Sequence, residues 1–447
     1  MDQSYIMKKI LFLLFMSVTG VICYGQQGDS SVTVGKAELD SLRKRIERLE
    51  SGSGDGVRSS ERKPEYKIGG WLEARFMYNS YASKSPRENL MFYYPLKPEY
   101  GPDGRDINDR GSLNFSVFSS RLSFGVGGVE VGRAKLSTYL EADFLGSSDA
   151  FNYMLRLRQA YIDIAWSDNL FRIGQTNHLT FPENMVPATV TFNGGTPFAT
   201  LNRGPQIRYS RHFKRNIDLS VAAEYYSSHK SVGPEKAQIN AAIPDIHARV
   251  EFGDPDKIMG GFAAGYKFFE PRTSDAEGNK VSRMVAAFDV NAFLAFTANG
   301  YKFKVWGIYG QNLTPYGIIG GYGKRLGDSE YGDYRYTNIY SMSAWFDFST
   351  PSYSNIAFGF FAGYQSNLGS LADIDTSVGY YRDCDLRWFS RLSPRLYYYM
   401  GSRMRFGLEY SYANAQWMKK YDERFRSVED YSMSETHRVE FQARFYF

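Results

Sequence analysis

Cysteine is nearly missing from this chain: its 447 residues include 2, Cys23 and Cys384. So few thiols cannot build a disulfide framework, and there is no cysteine cluster for zinc or an iron–sulfur centre. Histidine is scarce too, with 5 residues at His178, His212, His229, His247 and His437. They are scattered, without the spacing of a metal or catalytic motif, and are read as surface or interfacial groups. No HExxH, GxSxG or Walker sequence occurs. The chain is therefore not expected to be an enzyme or to carry a cofactor or metal. A formal charge of +5 is too small to imply a nucleic-acid partner. Long apolar runs are missing as well: none beyond residue 25 approaches the roughly 20 residues of a transmembrane helix.

Aromatic residues and glycine are abundant, with Tyr 35, Phe 33 and Gly 42. The mean hydropathy of -0.42 is that of a soluble protein. The composition also fits a transmembrane β-barrel, in which only alternate residues of each strand meet lipid. The last eleven residues show this pattern most clearly. Val439, Phe441, Ala443, Phe445 and Phe447 form an apolar row, and Arg438, Glu440, Gln442, Arg444 and Tyr446 form a polar one. A period of two with one greasy and one polar face marks a strand between two different solvents. An unpaired terminal edge this apolar would promote aggregation, whereas a barrel that pairs its last strand with its first has no such edge. The terminal strand is expected to pair with residues 66–78 and to bring Arg438 and Arg444 into the lumen near Glu73 and Arg75. Ending on Phe447, it resembles the signal that the barrel-assembly machinery of Gram-negative outer membranes reads.

The chain divides into three parts. Residues 1–25 form a signal peptide, with Lys8 and Lys9 ahead of a short apolar run and cleavage expected after Gly25. A lipid anchor on Cys23 is disfavoured by Ile22 in front of it. Residues 26–64 carry Leu39, Leu42, Ile46 and Leu49, stepping by three, four and three as in a coiled-coil seam that would join protomers. A Ser-Gly linker follows. Residues 65–447 are the barrel.

Strand-like segments within the barrel cover residues 66–78, 113–126, 133–145, 154–166, 170–175, 206–213, 217–226 and 246–252. They continue at 258–269, 283–296, 301–312, 338–348, 355–365, 386–399, 404–417 and 436–447. The fold class is thus all-β, a transmembrane antiparallel barrel of about sixteen strands, an even number as in single-chain bacterial barrels. Short turns alternate with long polar stretches such as 80–112, 177–205 and 314–337. That is the asymmetry between periplasmic turns and external loops.

Charged rows should face the lumen, because Arg or Lys in lipid at mid-bilayer costs about 2–4 kcal/mol. Candidate pore-lining arginines are Arg75, Arg121, Arg156, Arg158, Arg172, Arg203, Arg208, Arg403 and Arg405. They could line a constriction that attracts small anions, offering forked donors to carboxylate or phosphate. Equally, they could pair with Glu141, Asp143 and Asp163 across strands and stiffen the wall. The long stretch 177–205 could fold inward and narrow the pore.

The motifs Ser120-Arg-Leu-Ser-Phe124, Lys135-Leu-Ser-Thr-Tyr-Leu-Glu-Ala-Asp-Phe144, Leu155-Arg-Leu-Arg-Gln-Ala-Tyr161, Gly174-Gln-Thr176 and Gln206-Ile-Arg-Tyr209 follow one another in this segment. In order and spacing they resemble the DcaP-like porins, trimeric outer-membrane diffusion channels with a coiled-coil segment before the barrel. The resemblance covers roughly residues 114–213 and implies a sixteen-stranded homotrimer in outer-membrane lipid that passes small anionic solutes, often organic acids. It points to Arg121, Arg156, Arg158, Arg203 and Arg208 as the anion path. Asn177-His178 stands where that family often has an aromatic, so the entrance to the constriction should differ. A different reading of the chain is an adhesin or structural barrel that binds a partner through long aromatic, acidic loops such as 91–100 and 331–336.

Overall fold

A computed structural model describes residues 64–226, 230–426 and 428–447. Leu39, Leu42, Ile46 and Leu49, the signal peptide, Cys23 and His229 lie outside the described residues. The strands of the first half are β1 (Glu65–Asn79), β2 (Ser112–Ser116 and, after a break, Arg121–Val131), β3 (Ala134–Asp143), β4 (Arg156–Trp166), β5 (Asn169–Asn177), β6 (Arg203–Phe213), β7 (Ile217–Glu224) and β8 (Asp245–Gly253). The second half contains β9 (Ile258–Phe269), β10 (Val285–Ala298), β11 (Tyr301–Gln311), β12 (Tyr336–Ser349), β13 (Ile356–Ser370), β14 (Leu386–Met400), β15 (Met404–Tyr421) and β16 (Val428–Tyr446). These sixteen strands pair antiparallel, each with its neighbours in sequence, and β16 pairs back onto β1. Two further segments, Gly320–Arg325 and Ile374–Arg382, pair with each other on the long-loop side and join the same sheet through β12.

The closing register runs from Trp71 opposite Tyr446 to Asn79 opposite Arg438. Phe447 continues it, exchanging backbone hydrogen bonds of 3.2 Å with Gly70. Closure therefore leaves no unpaired edge at the chain end. Along β16 the two rows separate as their chemistry requires. Val439 and Phe445 are 43% and 42% exposed on the outer face, whereas Arg438 and Gln442 are 0% exposed on the inner one. Leu72, Phe76, Leu408 and Tyr410 share the outer belt. An apolar belt around a closed barrel is the surface that lipid covers.

Short turns join strands at one end. Between β10 and β11 a two-residue turn places Asn299 and Gly300 at φ of 50° and 83°. Positive φ at both positions is the hairpin geometry that Asn-Gly favours, because its twist matches that of the strands. The long connections all lie at the opposite end, and three of them turn inward. The β1–β2 loop buries Leu90, Phe92 and Tyr94; the β5–β6 loop buries Leu179, Val190 and Phe198; the β11–β12 loop buries Leu313 and Tyr316. Of these, Leu90, Tyr94, Phe198, Leu313 and Tyr316 join Phe361 and Phe389 from the wall in one apolar core inside the barrel. The buried guanidinium of Arg391 lies 5.7, 5.3 and 5.0 Å from the ring centres of Phe92, Phe198 and Phe361. The stretch whose inward folding was one possibility in the sequence does enter the lumen. Val190 N donates to Glu409 Oε2 on β15 at 2.7 Å, and Ser343 Oγ on β12 donates to Phe198 O at 2.8 Å.

Candidate constriction site

Polar and charged side chains at alternate positions of β2, β3 and β4 point inward, and the register places opposite signs side by side. Arg121 stands opposite Asp143, and Asp143 opposite Arg156. Same-face neighbours on adjacent strands interact directly. Arg156 grips Asp143 with both fork atoms, Nε to Oδ1 at 2.9 Å and Nη2 to Oδ2 at 2.7 Å. Arg158 bridges two carboxylates, Nε to Glu141 Oε1 at 2.6 Å and Nη1 to Asp143 Oδ2 at 2.8 Å. Arg121 reaches Glu141 Oε2 at 3.3 Å and lies over the Trp71 ring at 4.2 Å. Arg203, at the start of β6, completes the group.

These four arginines border one cavity of about 280 Å³, together with Glu141, Glu183 and the loop residues Phe192 and Asn193. Counting Asp143 behind Arg156 and Arg158, four guanidinium groups face three carboxylates, leaving one net positive charge. The two roles considered for the arginines are therefore combined in one cluster. They pair with the wall and they border the open space.

The remaining candidates lie elsewhere. Arg172 holds Asp163 with contacts of 2.7 and 2.8 Å and stacks 3.9 Å from the Tyr161 ring. Arg208 donates to Gln206 Oε1 at 2.9 Å and to the Asn177 carbonyl, fixing the start of the inward loop. Arg75 is buried at the barrel seam between Glu73 and Glu440, and Nη1 donates to Val190 O at 2.5 Å. Arg405 faces inward, donating to Gln442 Oε1 at 2.9 Å, with Tyr397 at 4.5 Å. Arg403 corrects an expectation. The alternation in the sequence places it in the inward row of its strand, but β15 begins at Met404, and Arg403 stands exposed in the turn that Gly401 opens at φ 66°.

The histidines need a second correction. His212 is half exposed beside Asp218, as expected of a surface group. His178 and His247 are instead buried, 2% and 0% exposed, with ring centres 4.4 Å apart. Both also approach Glu224. Spacing along the chain could not reveal this, because the barrel register and the inward loop bring them together. The residues that hold the loop, Glu409, Asp347 and Gln365, were missed for the same reason. Glu409 accepts from Val190 N, Asp347 from Ala188 N at 3.4 Å, and Gln365 Nε2 donates to Pro197 O at 2.7 Å.

A closed sixteen-stranded barrel with an apolar belt, a charged inner wall and a loop folded across its lumen has the architecture of a diffusion porin. The outer membrane channel DcaP of Acinetobacter baumannii shares this fold at a TM-score of 0.64 and 16% identity, over 87% of this chain and 99% of that one. The trimer form of OmpT, an outer membrane protein of Vibrio cholerae, follows at 0.51 and 11% identity, over 86% of this chain and 99% of that one. An anion-selective porin from Comamonas acidovorans matches at 0.50 and 10% identity, over 86% and 100%. No protein-family model and no curated protein matches the chain. The fold is thus the one that the sequence motifs resembled.

Proposed function

We propose that this protein is a Gram-negative outer-membrane porin, a homotrimer that lets small anionic solutes diffuse through the arginine-bordered cavity. The observation that carries the reading is the layering at that cavity. Arg121, Arg156, Arg158 and Arg203 border the space, while Asp143 lies behind and orients two of them. Guanidinium forks held in place in this way offer paired donors to a carboxylate without having to be ordered first. The trimeric state is supported by the trimer form of the Vibrio cholerae barrel and the anion preference by the Comamonas acidovorans porin, each a property stated of that protein. Residues 36–50 would add a coiled coil at the N-terminal side; deleting them should leave trimers intact but less heat-resistant in gels.

Reconstitution in a planar bilayer tests the reading. Insertion should give conductance in steps of three. Complete lack of conductance from correctly folded barrels would favour a closed barrel that binds a partner through its outer loops.

A further inference from the structure

Inside the lumen, three buried side chains from three chain segments, none of them lining the arginine cavity, converge. His178 opens the inward loop, Glu224 ends β7 and His247 lies on β8. His178 Nε2 is 2.7 Å from Glu224 Oε2, His247 Nδ1 is 3.2 Å from the same oxygen, and all three atoms lie within 4.8 Å of one another. Despite that closeness, none of the three makes a hydrogen bond of acceptable angle among the described residues. Ligand atoms whose lone pairs aim at a common point, rather than along the lines joining them, have this geometry. Buried polar atoms left without a partner are costly and rare.

The surroundings hold each group by its other side. His247 Nε2 faces Asp289 Oδ2 at 3.1 Å, and Asp289 also accepts from Tyr316 OH at 2.9 Å and Lys267 Nζ at 2.6 Å. This carboxylate–imidazole pairing presents Nδ1 as the free donor, the arrangement that orients metal-binding histidines. Glu224 Oε1 accepts from Leu179 N at 3.0 Å, which turns Oε2 toward the two rings. His178 Nδ1 accepts from Thr180 N at 3.3 Å and lies 3.0 Å from Thr180 Oγ1, which fixes the ring with Nε2 toward Glu224. Gly265, opposite His247 in the register, makes room for the ring: a Cβ there would fall 2.2 Å from His247 Cδ2. With neutral imidazoles, the charged groups in direct contact are two carboxylates, Glu224 and Asp289, and one ammonium, Lys267, so a cation offsets the excess negative charge of that contact shell.

We propose that His178, Glu224 and His247 bind a divalent late transition-metal ion that clamps the start of the inward loop to the barrel wall. Two imidazoles and one carboxylate suit zinc or a neighbouring ion rather than calcium or magnesium. Bonds of roughly 2.0–2.2 Å put tetrahedral ligand atoms roughly 3.4 Å apart, so the His178–Glu224 contact of 2.7 Å opens by about 0.7 Å on binding. Because His178 belongs to the loop, the site is complete only when the loop is folded in.

The test uses the full chain refolded in detergent, without a metal-affinity step, in Zn²⁺ or in EDTA. Elemental analysis after dialysis should give one zinc per chain, and Co²⁺ in its place should show visible absorption typical of low-coordinate cobalt. H178Q and H247Q should each lose at least tenfold in zinc affinity. Heat-induced unfolding of the wild type should need a higher temperature with zinc than with EDTA. Retention well below one ion per chain, or equal retention by both variants, would overturn the proposal. Should either variant fail to fold, the wild-type cobalt spectrum decides, and a colourless protein in excess Co²⁺ also overturns it.

Discussion

Glu73 on the first strand and Arg444 on the last face each other in the closing register and form an ion pair across the barrel seam. The pair belongs to a buried chain of alternating charge. Arg75 lies between Glu73 and Glu440, and Arg438 donates to Glu440 Oε2 at 2.9 Å and to Asn79 Oδ1 at 3.0 Å. The strand that closes the barrel is thus zipped by charge on its inner face and by lipid on its outer one.

Removing one member of that chain should be far more damaging than its single contact suggests. Arg438→Ala leaves Glu440 with one arginine fewer in a site without water-facing surface, and breaking a buried pair typically costs about 3–5 kcal/mol. The expected outcome is a lower midpoint for the heat-induced gel mobility shift, with the double change Arg438→Met and Glu440→Leu closer to wild type. Equal loss in single and double variants would show that shape, not charge, is what matters there.

The inward loop is held by close packing as well as by hydrogen bonds. A Cβ at Gly363 would fall 2.4 Å from Phe198 Cγ, in a ring that is fully buried. Gly363→Ala should therefore push the Phe198 ring off the wall, at an overpacking cost of about 1–3 kcal/mol. Single-channel conductance should rise as the loop shifts out of the lumen. An unchanged step size would mean that the loop does not limit the current.

Much of this architecture is legible in the sequence, because a period of two survives wherever a strand separates lipid from a polar interior. The β16 rows, the alternation of loop lengths and the Asn299-Gly300 turn are local signals of that kind. Loop placement is not local. Residues 178–202 are fixed by Glu409, Ser343 and Gln365, partners far along the chain that no window of sequence connects to them. The same holds for His178 and His247. Arginines 156 and 158 were legible as inward-facing residues, but the shared grip on Asp143 depends on cross-strand register.

Cys384 provides a chemical probe of the long-loop end. Its thiol is buried, lies 3.6 Å from Gly320 O, and is pushed well above its ordinary pKa by burial and by the neighbouring carboxylates of Asp383 and Asp385. Thiolate is the reactive form, so maleimide labelling of a Cys23→Ser protein should be slow at neutral pH and should accelerate only on unfolding. Fast labelling of the folded barrel would show that this loop region opens.

The most direct measurement for the central claim is the reversal potential of the reconstituted pore under a salt gradient. Wild type should favour anions; Arg156→Ala with Arg158→Ala should move the potential toward cations, and Asp143→Asn should move it the opposite way. Opposite shifts are expected because the arginines border the cavity and Asp143 offsets them from behind. A cation-selective wild type, or potentials unmoved by either change, would contradict an anion path along this wall.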